Sequence, residues 1–184
     1  MPVSFAARHV LEDHISGFEA TPNPHHLSIL RSPVVFSVLA HQGHESDIEE
    51  VLTNLEDVHV RVCGPGEWLV VSETVSADTV ARQIADIGAS RVSFVDQSDG
   101  RVVISIAGPR VRAILAKCTA LDLHAGIFEI GQSTNCQICH VAANLARTGE
   151  DCFEIIVMRS FAGFLFDEVC EMGREFALTA GFAA

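Results

Sequence analysis

The residues with the clearest chemical potential are Cys136 and Cys139, which belong to the sequence CQICH over residues 136–140. A C-x-x-C-H sequence is the haem attachment motif of c-type cytochromes, and a C-x-x-C pair alone can be half of a zinc site or a redox-active dithiol. No second pair of ligands is spaced to complete a zinc site. The pattern over residues 134–145 predicts one long strand, on which Cys136 and Cys139 point to opposite faces and Cys136 and His140 lie about 13 Å apart. We therefore expect buried or half-buried thiols, and a turn that creates a metal or redox pair is the alternative.

Histidines and aspartates offer two further sets of candidates. His41 and His44 lie near the start of a predicted helix and could bind a metal together. They lack an identifiable carboxylate or thiol partner, so surface histidines are the favoured interpretation, and the same holds for the His-His pair at 25–26. Asp96 and Asp99 could form an acid–base pair. Turn chemistry explains Asp99, and an aspartate at the end of a strand, such as Asp96, is more often solvated than catalytic.

Three other features have structural interpretations. Trp68, the single tryptophan, is expected in the core, and an interface anchor is the alternative. The Gly-Pro-Gly sequence at 64–66 predicts a turn and not a phosphate-binding loop, because it lacks the lysine and offers no N–H at the proline. Ser160, which follows Arg159, is expected to be the N-cap of the last helix. We assign no catalytic, cofactor-binding or metal-binding residue to the chain.

Composition narrows the class of protein. The 184 residues carry a formal net charge of −12, which argues against binding to nucleic acid or to an anionic membrane surface. The first residues lack a long apolar core, and no stretch of about 18 uncharged apolar residues exists for a membrane span. We therefore expect a cytoplasmic protein with reduced thiols, which also argues against haem attachment, a process that normally follows export.

The elements that must position these residues centre on residues 92–123. An apolar run that begins at Val92 leads to Asp99-Gly100, a dipeptide that favours a tight hairpin turn. The β-branched run 102–106 predicts the returning strand. Gly108-Pro109 then begins a helix, since proline fits the first helical turn. That helix places four apolar residues on one face: Val111, Ile114, Leu115 and Cys118.

The upstream half contains the same kinds of element. Strands are predicted at 34–38, 58–62 and 68–71 from their β-branched and aromatic residues. Ser46 and Glu49 have the spacing of a capping box at the start of a helix between the first two strands. A second helix is predicted after Ser76, and Gly88 lies at its C-terminal end. Its apolar residues recur at helical spacing and are Val80, Ile84 and Ile87.

The two halves repeat one order of elements. Val102 lies 68 residues after Val34, whereas later elements lie further apart, so about 17 extra residues are expected in the 122–132 region. Two split β-α-β units, paired through the Asp99-Gly100 hairpin, predict an α+β fold of ferredoxin-like units with antiparallel sheets. Residues 1–33, broken by prolines, predict an N-terminal arm or loop that orders only in a complex. The remainder, 34–184, forms a single domain with pseudo-repeats at about 34–96 and 101–176.

Several segments carry a family resemblance in the same order. They are GPGEWLVV from Gly64, DQSDGRVVISIAGPRVRAIL from Asp96, LDLH from Leu121, FEIIV from Phe153 and RSFA from Arg159. Together, over roughly residues 34–176, they resemble the gamma subunit of heterotetrameric sarcosine oxidase and, more distantly, the glycine-cleavage T protein, an aminomethyltransferase. The resemblance implies a T-protein-like, folate-binding-domain-like fold.

The resemblance also implies a function. In that family the complex oxidatively demethylates sarcosine to glycine, and yields hydrogen peroxide and formaldehyde or methylene-tetrahydrofolate. The gamma subunit has an assembly or stabilising role without assigned catalytic residues. The implied partners are the alpha, beta and delta subunits, and FMN, FAD, NAD, tetrahydrofolate and zinc are expected only in those partners. The alternative is a stand-alone T-protein-like folate-binding or one-carbon-transfer protein, which an acidic side chain facing a central pocket would favour.

Overall fold

The computed structural model describes residues 8–15 and 23–183, which form a six-stranded and a four-stranded sheet with five helices in the described ranges. The strands are β1 (His26–Ile29), β2 (Val34–Ala40), β3 (His59–Gly64), β4 (Glu67–Ser72), β5 (Val92–Asp96), β6 (Arg101–Ala107), β7 (Ser133–Ile138), β8 (Val141–Gly149), β9 (Cys152–Met158) and β10 (Thr179–Phe182). The helices are α1 (Glu12–Ile15), α2 (Glu45–Thr53), α3 (Ala77–Ala85), α4 (Val111–Leu115) and α5 (Ala162–Gly173).

The four-stranded sheet is the first repeat. Its order β3-β4-β2-β5, with α2 and α3 as crossovers, is that of a ferredoxin-like β-α-β-β-α-β unit, as predicted. Ser76 caps α3 by accepting a hydrogen bond from the N–H of Thr79. The predicted capping box at Ser46 and Glu49 is wrong, because α2 already begins at Glu45 and its N-cap position, His44, makes no side-chain cap.

The six-stranded sheet, in the order β10-β1-β6-β9-β8-β7, is the second repeat with two additions. Strands β6, β8, β9 and β10 with α4 and α5 form the ferredoxin-like unit, β7 extends one edge, and β1 is inserted between β6 and β10. The prediction of an arm or loop is therefore wrong for His26–Ile29, whose Leu27 and Ile29 are buried. Residues 1–7 and 16–22 of the predicted arm lie outside the described residues.

The predicted Asp99-Gly100 hairpin is also wrong. Strand β5 pairs with β2, whereas β6 pairs with β1 and β9, so the two strands belong to different sheets. Residues Ser98–Gly100 form a short 3₁₀ turn, and Gly100 does not take the positive φ that a two-residue hairpin turn requires. The two repeats are thus joined by a sheet-to-sheet connection.

The two sheets pack against each other, and the helices cover their outer faces. On β4, Trp68 and Val70 face the helices of the first unit, while Leu69 and Val71 face the second sheet. On β6, Val103 is among the residues that fill the space between the sheets. Because these strands are buried on both faces, they are continuous apolar runs in the sequence. Trp68 is buried, as its core interpretation predicted, and is not an exposed anchor.

Polar contacts also cross between the sheets. Arg61 on β3 donates to Glu154 on β9 at 2.8 Å, and both side chains are buried. The amide nitrogen of Asn144 on β8 donates to the carbonyl oxygen of Val62 at 2.9 Å. The N–H of Val62 donates to the hydroxyl of Ser133 at 2.6 Å, so this strand edge is tied to the second sheet by backbone as well as side chain.

Glycines and a 3₁₀ turn lie at several of the connections between elements. Gly108 has φ +136°, and a Cβ at this position would overlap the carbonyl oxygen of Pro24, so the Gly-Pro sequence before α4 requires glycine. All four residues of the predicted apolar face are buried, but α4 ends at Leu115 and Cys118 lies in the turn that follows it. Ser160 is not the N-cap of α5, because it lies in a 3₁₀ turn, Arg159–Phe161, that precedes the helix. The Gly-Pro-Gly turn is confirmed as the β3–β4 connection, with Gly66 at φ +72°.

Candidate functional site

Three of the six cysteines line one cavity of about 630 Å³, which we call the thiol cavity. It lies between the end of α4, the turn that joins β7 to β8, and α5. Cys118, Cys136 and Cys139 line it, and Lys117 and Glu168 are the charged residues on its walls. The sequence motif at 136–140 therefore does contribute to a concave surface.

The predicted long strand over 134–145 is broken at Cys139 and His140. Both residues have positive φ, 48° and 69°, and they form the two-residue turn of a β7–β8 hairpin. Such turns usually contain glycine or asparagine, and neither residue is present at 139–140, so no turn signal was visible here. The N–H of Cys139 donates to the carbonyl oxygen of Cys118 at 2.7 Å, and this bond holds the turn against the end of α4.

The alternative prediction of a turn is therefore right about the backbone, but it named the wrong thiol pair. Cys139 has Cys118 as its thiol neighbour, and Cys136 lies further back on β7 opposite Ala143. The hydrogen bond between the two thiols raises the pKa of Cys118, and burial acts in the same direction. The same bond lowers the pKa of Cys139. Burial raises the pKa of Cys136, so Cys139 is the thiol most readily ionised in this cavity.

Of the predicted histidine candidates, His41, His25 and His26 have side-chain hydrogen bonds to the protein, and His44 occupies the N-cap position of α2 without a side-chain cap. The two ring nitrogens of His41 contact the carbonyl oxygen of Ser90 at 2.9 Å and the hydroxyl of Ser93 at 2.8 Å. Nδ1 of His26, on β1, lies 2.7 Å from the hydroxyl of Thr179, so the predicted loop at 25–26 is a strand at its second residue. Across residues 8–15 and 23–183, no group of three His, Cys, Asp or Glu side chains is arranged to hold a metal ion.

Asp96 and Asp99 have different surroundings. The carboxylate of Asp96 accepts hydrogen bonds from the N–H and the hydroxyl of Ser98, at 2.8 and 2.6 Å, and so fixes the turn between the sheets. Asp99 is exposed on the same turn and faces a second cavity. Both aspartates line the smaller extension of that cavity, and turn formation accounts for Asp96.

The second cavity, of about 560 Å³, is lined by Arg8, His9, Arg31, Asp99 and Arg159, and we call it the arginine cavity. A smaller extension of about 180 Å³ shares most of these residues and adds Arg101. The residues come from the segment before α1, the β1–β2 loop, the turn after β5 and the turn after β9. Sequence reasoning missed this cluster, because no local pattern brings together positions so far apart in the chain.

Several large apolar side chains are exposed. Phe161 and Phe164, one helical turn apart at the start of α5, are 51% and 50% exposed, and Ile127 and Ile130, in the loop before β7, are 61% and 59% exposed. Exposed apolar area of this kind is common at protein–protein contacts. None of the helices in the described ranges is long and apolar enough to cross a membrane.

The chain matches one protein family over most of its length. The family is the GCVT N-terminal domain, and the match covers residues 53–184. It includes the strands and helices of the second repeat from β6 onwards, as well as the second half of the first repeat.

Two curated relatives are similar over part of their sequences. The sarcosine oxidase subunit gamma of Corynebacterium sp. (strain P-1) is 26% identical over 135 residues, which are 73% of this chain and 66% of that protein. The aminomethyltransferase of Saccharopolyspora erythraea is 30% identical over 128 residues, which are 67% of this chain and 34% of that protein. The match therefore spans about a third of the aminomethyltransferase and just under two thirds of the gamma subunit.

A solved structure matches along almost the whole chain. It is a chain of the heterotetrameric sarcosine oxidase from Corynebacterium sp. U-96, in complex with pyrrole 2-carboxylate. The TM-score is 0.80 at 19% sequence identity, and the superposition covers 97% of this chain and 99% of that one. The two chains share one fold from end to end, and the predicted fold class is confirmed.

Proposed function

This chain belongs to the GCVT N-terminal domain family, and from that premise we propose that it is the gamma subunit of a heterotetrameric sarcosine oxidase. The observation that carries the proposal is the superposition over 97% of this chain and 99% of a chain from such an oxidase. The relative named sarcosine oxidase subunit gamma, at 26% identity, supports the same assignment. An aminomethyltransferase is about three times as long as the matched segment, which covers 34% of it.

In this proposal the chain assembles or stabilises the complex and does not carry out its chemistry. Its partners are the alpha, beta and delta subunits, which bind the FMN, FAD, NAD, tetrahydrofolate and zinc. The complex oxidatively demethylates sarcosine to glycine. All six cysteines are free thiols, which fits a reducing compartment, and we infer that the complex is cytoplasmic.

Affinity capture tests the proposal directly. The tagged chain is purified from a lysate of its native host, and the eluate is assayed for a flavin absorbance spectrum and for sarcosine-dependent hydrogen peroxide. We expect large subunits with both properties to co-purify in fixed proportion with the chain. Elution of the chain alone, from a lysate that does oxidise sarcosine, would contradict the gamma-subunit assignment.

Two pairs of substitutions test whether exposed apolar side chains take part in assembly. Phe161→Ser with Phe164→Ser, and Ile127→Ser with Ile130→Ser, each remove two exposed apolar side chains of similar exposure. A loss of capture in one variant alone would locate a docking surface at that pair. Partial losses in both variants, without a fixed proportion of large subunits to chain in the eluate, would indicate adhesion to exposed apolar surface and would count against a specific complex.

One observation favours a second candidate function, a T-protein-like folate-binding or one-carbon-transfer protein. Glu168 is an acidic side chain on the wall of the thiol cavity, and a volume of about 630 Å³ lies in the range of small-molecule sites. This cavity, however, borders the helices, and apolar side chains fill the space between the two sheets. A rise in the melting temperature of the purified chain with tetrahydrofolate, lost in Glu168→Gln, would support this candidate.

A further inference from the structure

The arginine cavity gathers positive charge in an acidic protein. The chain has 12 Lys and Arg residues against 24 Asp and Glu residues. Four of those cationic residues, Arg8, Arg31, Arg101 and Arg159, line this cavity and its extension. Like charges brought together repel one another, so this arrangement lowers the stability of the fold unless something offsets it.

Three of the four guanidinium groups have no carboxylate partner within residues 8–15 and 23–183. Arg8 pairs with Glu12 and Asp13 at 3.0 and 2.7 Å. The other ion pairs of the described chain leave out Arg31, Arg101 and Arg159. These three groups therefore retain N–H donors that can bind an anion.

Neutral contacts hold the three unpaired groups in place. The guanidinium carbon of Arg31 lies 4.0 Å from the centre of the Phe182 ring. Nη2 of Arg159 donates to the carbonyl oxygen of Arg8 at 3.3 Å, and Nε of Arg101 donates to the side chain of Gln97 at 2.8 Å. Side chains fixed before binding lose less conformational entropy when a ligand arrives.

The arginines of the cavity affect the pKa of His9. Burial lowers the pKa of His9, and the charges of Arg159 and Arg31 lower it further. Two carboxylates, Asp96 and Asp99, line the extension of the cavity, and Asp96 accepts its hydrogen bonds from Ser98. Positive charge exceeds negative charge at this point of an acidic chain.

We propose that the arginine cavity is a binding site for a small anion that carries two or more phosphate or carboxylate groups. The planar guanidinium group matches both kinds of oxyanion with paired N–H donors. Arg31, in the loop after β1, and Arg159, in the turn after β9, hold two such groups of one ligand, and Arg101 reaches the ligand from the extension of the cavity. The space of about 560 Å³ accommodates a molecule of that size.

Isothermal titration calorimetry of the full chain tests the proposal with pyrophosphate and with citrate, at constant ionic strength adjusted with sodium chloride. The two anions distinguish a site for phosphate from a site for carboxylate. We expect saturable one-to-one binding of at least one of them. Absence of binding heat for both anions at millimolar concentration would overturn the proposal.

Substitutions locate the binding. Arg159→Gln and Arg31→Gln should each lower the affinity for the anion by at least about tenfold, because each removes a charged hydrogen-bonding group. Arg82→Gln is the matched control, because Arg82 is an exposed arginine on α3 that also has no carboxylate partner among the described residues. An equal loss in the control would show non-specific charge attraction and would overturn the site.

Asp99 gives a test that misfolding cannot imitate. Asp99→Asn removes the carboxylate that opposes the arginines, so the anion should bind several-fold more tightly. Unchanged or weaker binding in this variant, with an unchanged melting temperature of the free protein, would contradict the location of the ligand.

Discussion

The buried ion pair between Arg61 and Glu154 gives the sharpest prediction about stability. The Glu154→Gln substitution keeps the size of the side chain and removes its charge. The Arg61 guanidinium then remains buried without an anion, since its side chain is only 5% exposed and its Nε has no hydrogen-bond partner. Removing one partner of such a pair costs about 3–5 kcal/mol of folding free energy.

The melting temperature converts that cost into a measurable shift. For a chain of 150 to 250 residues, 1 kcal/mol corresponds to about 2–4 °C, so Glu154→Gln should melt roughly 6–20 °C lower. The pair Arg174–Glu171 is the control, since its side chains are 78% and 62% exposed. Glu171→Gln should therefore cost less than about 1 kcal/mol.

Urea unfolding of four proteins completes the test: the original chain, Glu154→Gln, Glu171→Gln, and the double variant Arg61→Met with Glu154→Leu. Replacing both charges by apolar side chains removes the buried unpaired cation, so the double variant should recover most of the loss. A cost below about 1 kcal/mol for Glu154→Gln would refute the reasoning. So would a double variant that is less stable than the single one.

Three further predictions concern backbone, protonation and thiols. Gly108→Ala should lower the free energy of unfolding by more than about 1–3 kcal/mol, because positive φ alone costs that much and the new Cβ overlaps a backbone carbonyl. Gly100→Ala is the control and should be neutral in the same urea assay, because its Cβ meets open space. Burial lowers the pKa of His26, so the unfolded chain takes up this proton more readily than the folded chain as the pH falls below about 6.5, and stability decreases. His26→Gln should therefore lose less stability between about pH 7.5 and 5. One equivalent of hydrogen peroxide should take two electrons and two protons from Cys118 and Cys139, which gives a disulfide and two waters. Non-reducing mass spectrometry should detect the disulfide as a linked peptide, and that peptide should be absent in Cys139→Ser.

The sequence predicted those elements whose evidence is local. The apolar face of α4 and the cap at Ser76 follow from spacing within one helix, and the β3–β4 hairpin follows from the Gly-Pro-Gly turn between two apolar runs. The repetition of this order indicated two ferredoxin-like units. The helix and hairpin patterns are each complete within roughly fifteen residues, and the repetition follows once those local elements have been identified.

Elements that depend on distant partners were missed. Strand β1 has four residues and lies between prolines, and its hydrogen-bond partners are β6 and β10, far along the chain. At Asp99-Gly100 the local turn signal is overridden, because β5 gains more by pairing with β2 in the first sheet. The arginine cavity has the same character, since Arg31 and Arg159 are far apart in the chain and are brought together by the pairing of β1 and β9 with β6.

The insertion of β1 explains how two similar units become one body. Strand β10 has its sheet hydrogen bonds with β1, in parallel register from His26–Thr179 to Ile29–Phe182, and it reaches β6 only through β1. The second unit is therefore completed by residues that precede the first unit in the chain, and the second repeat does not contain all of its own sheet. The buried Arg61–Glu154 pair joins the sheets a second time. Units tied in both ways cannot hinge apart without breaking a sheet or exposing a buried charge, so the outer surfaces of the two units are held in a fixed relation.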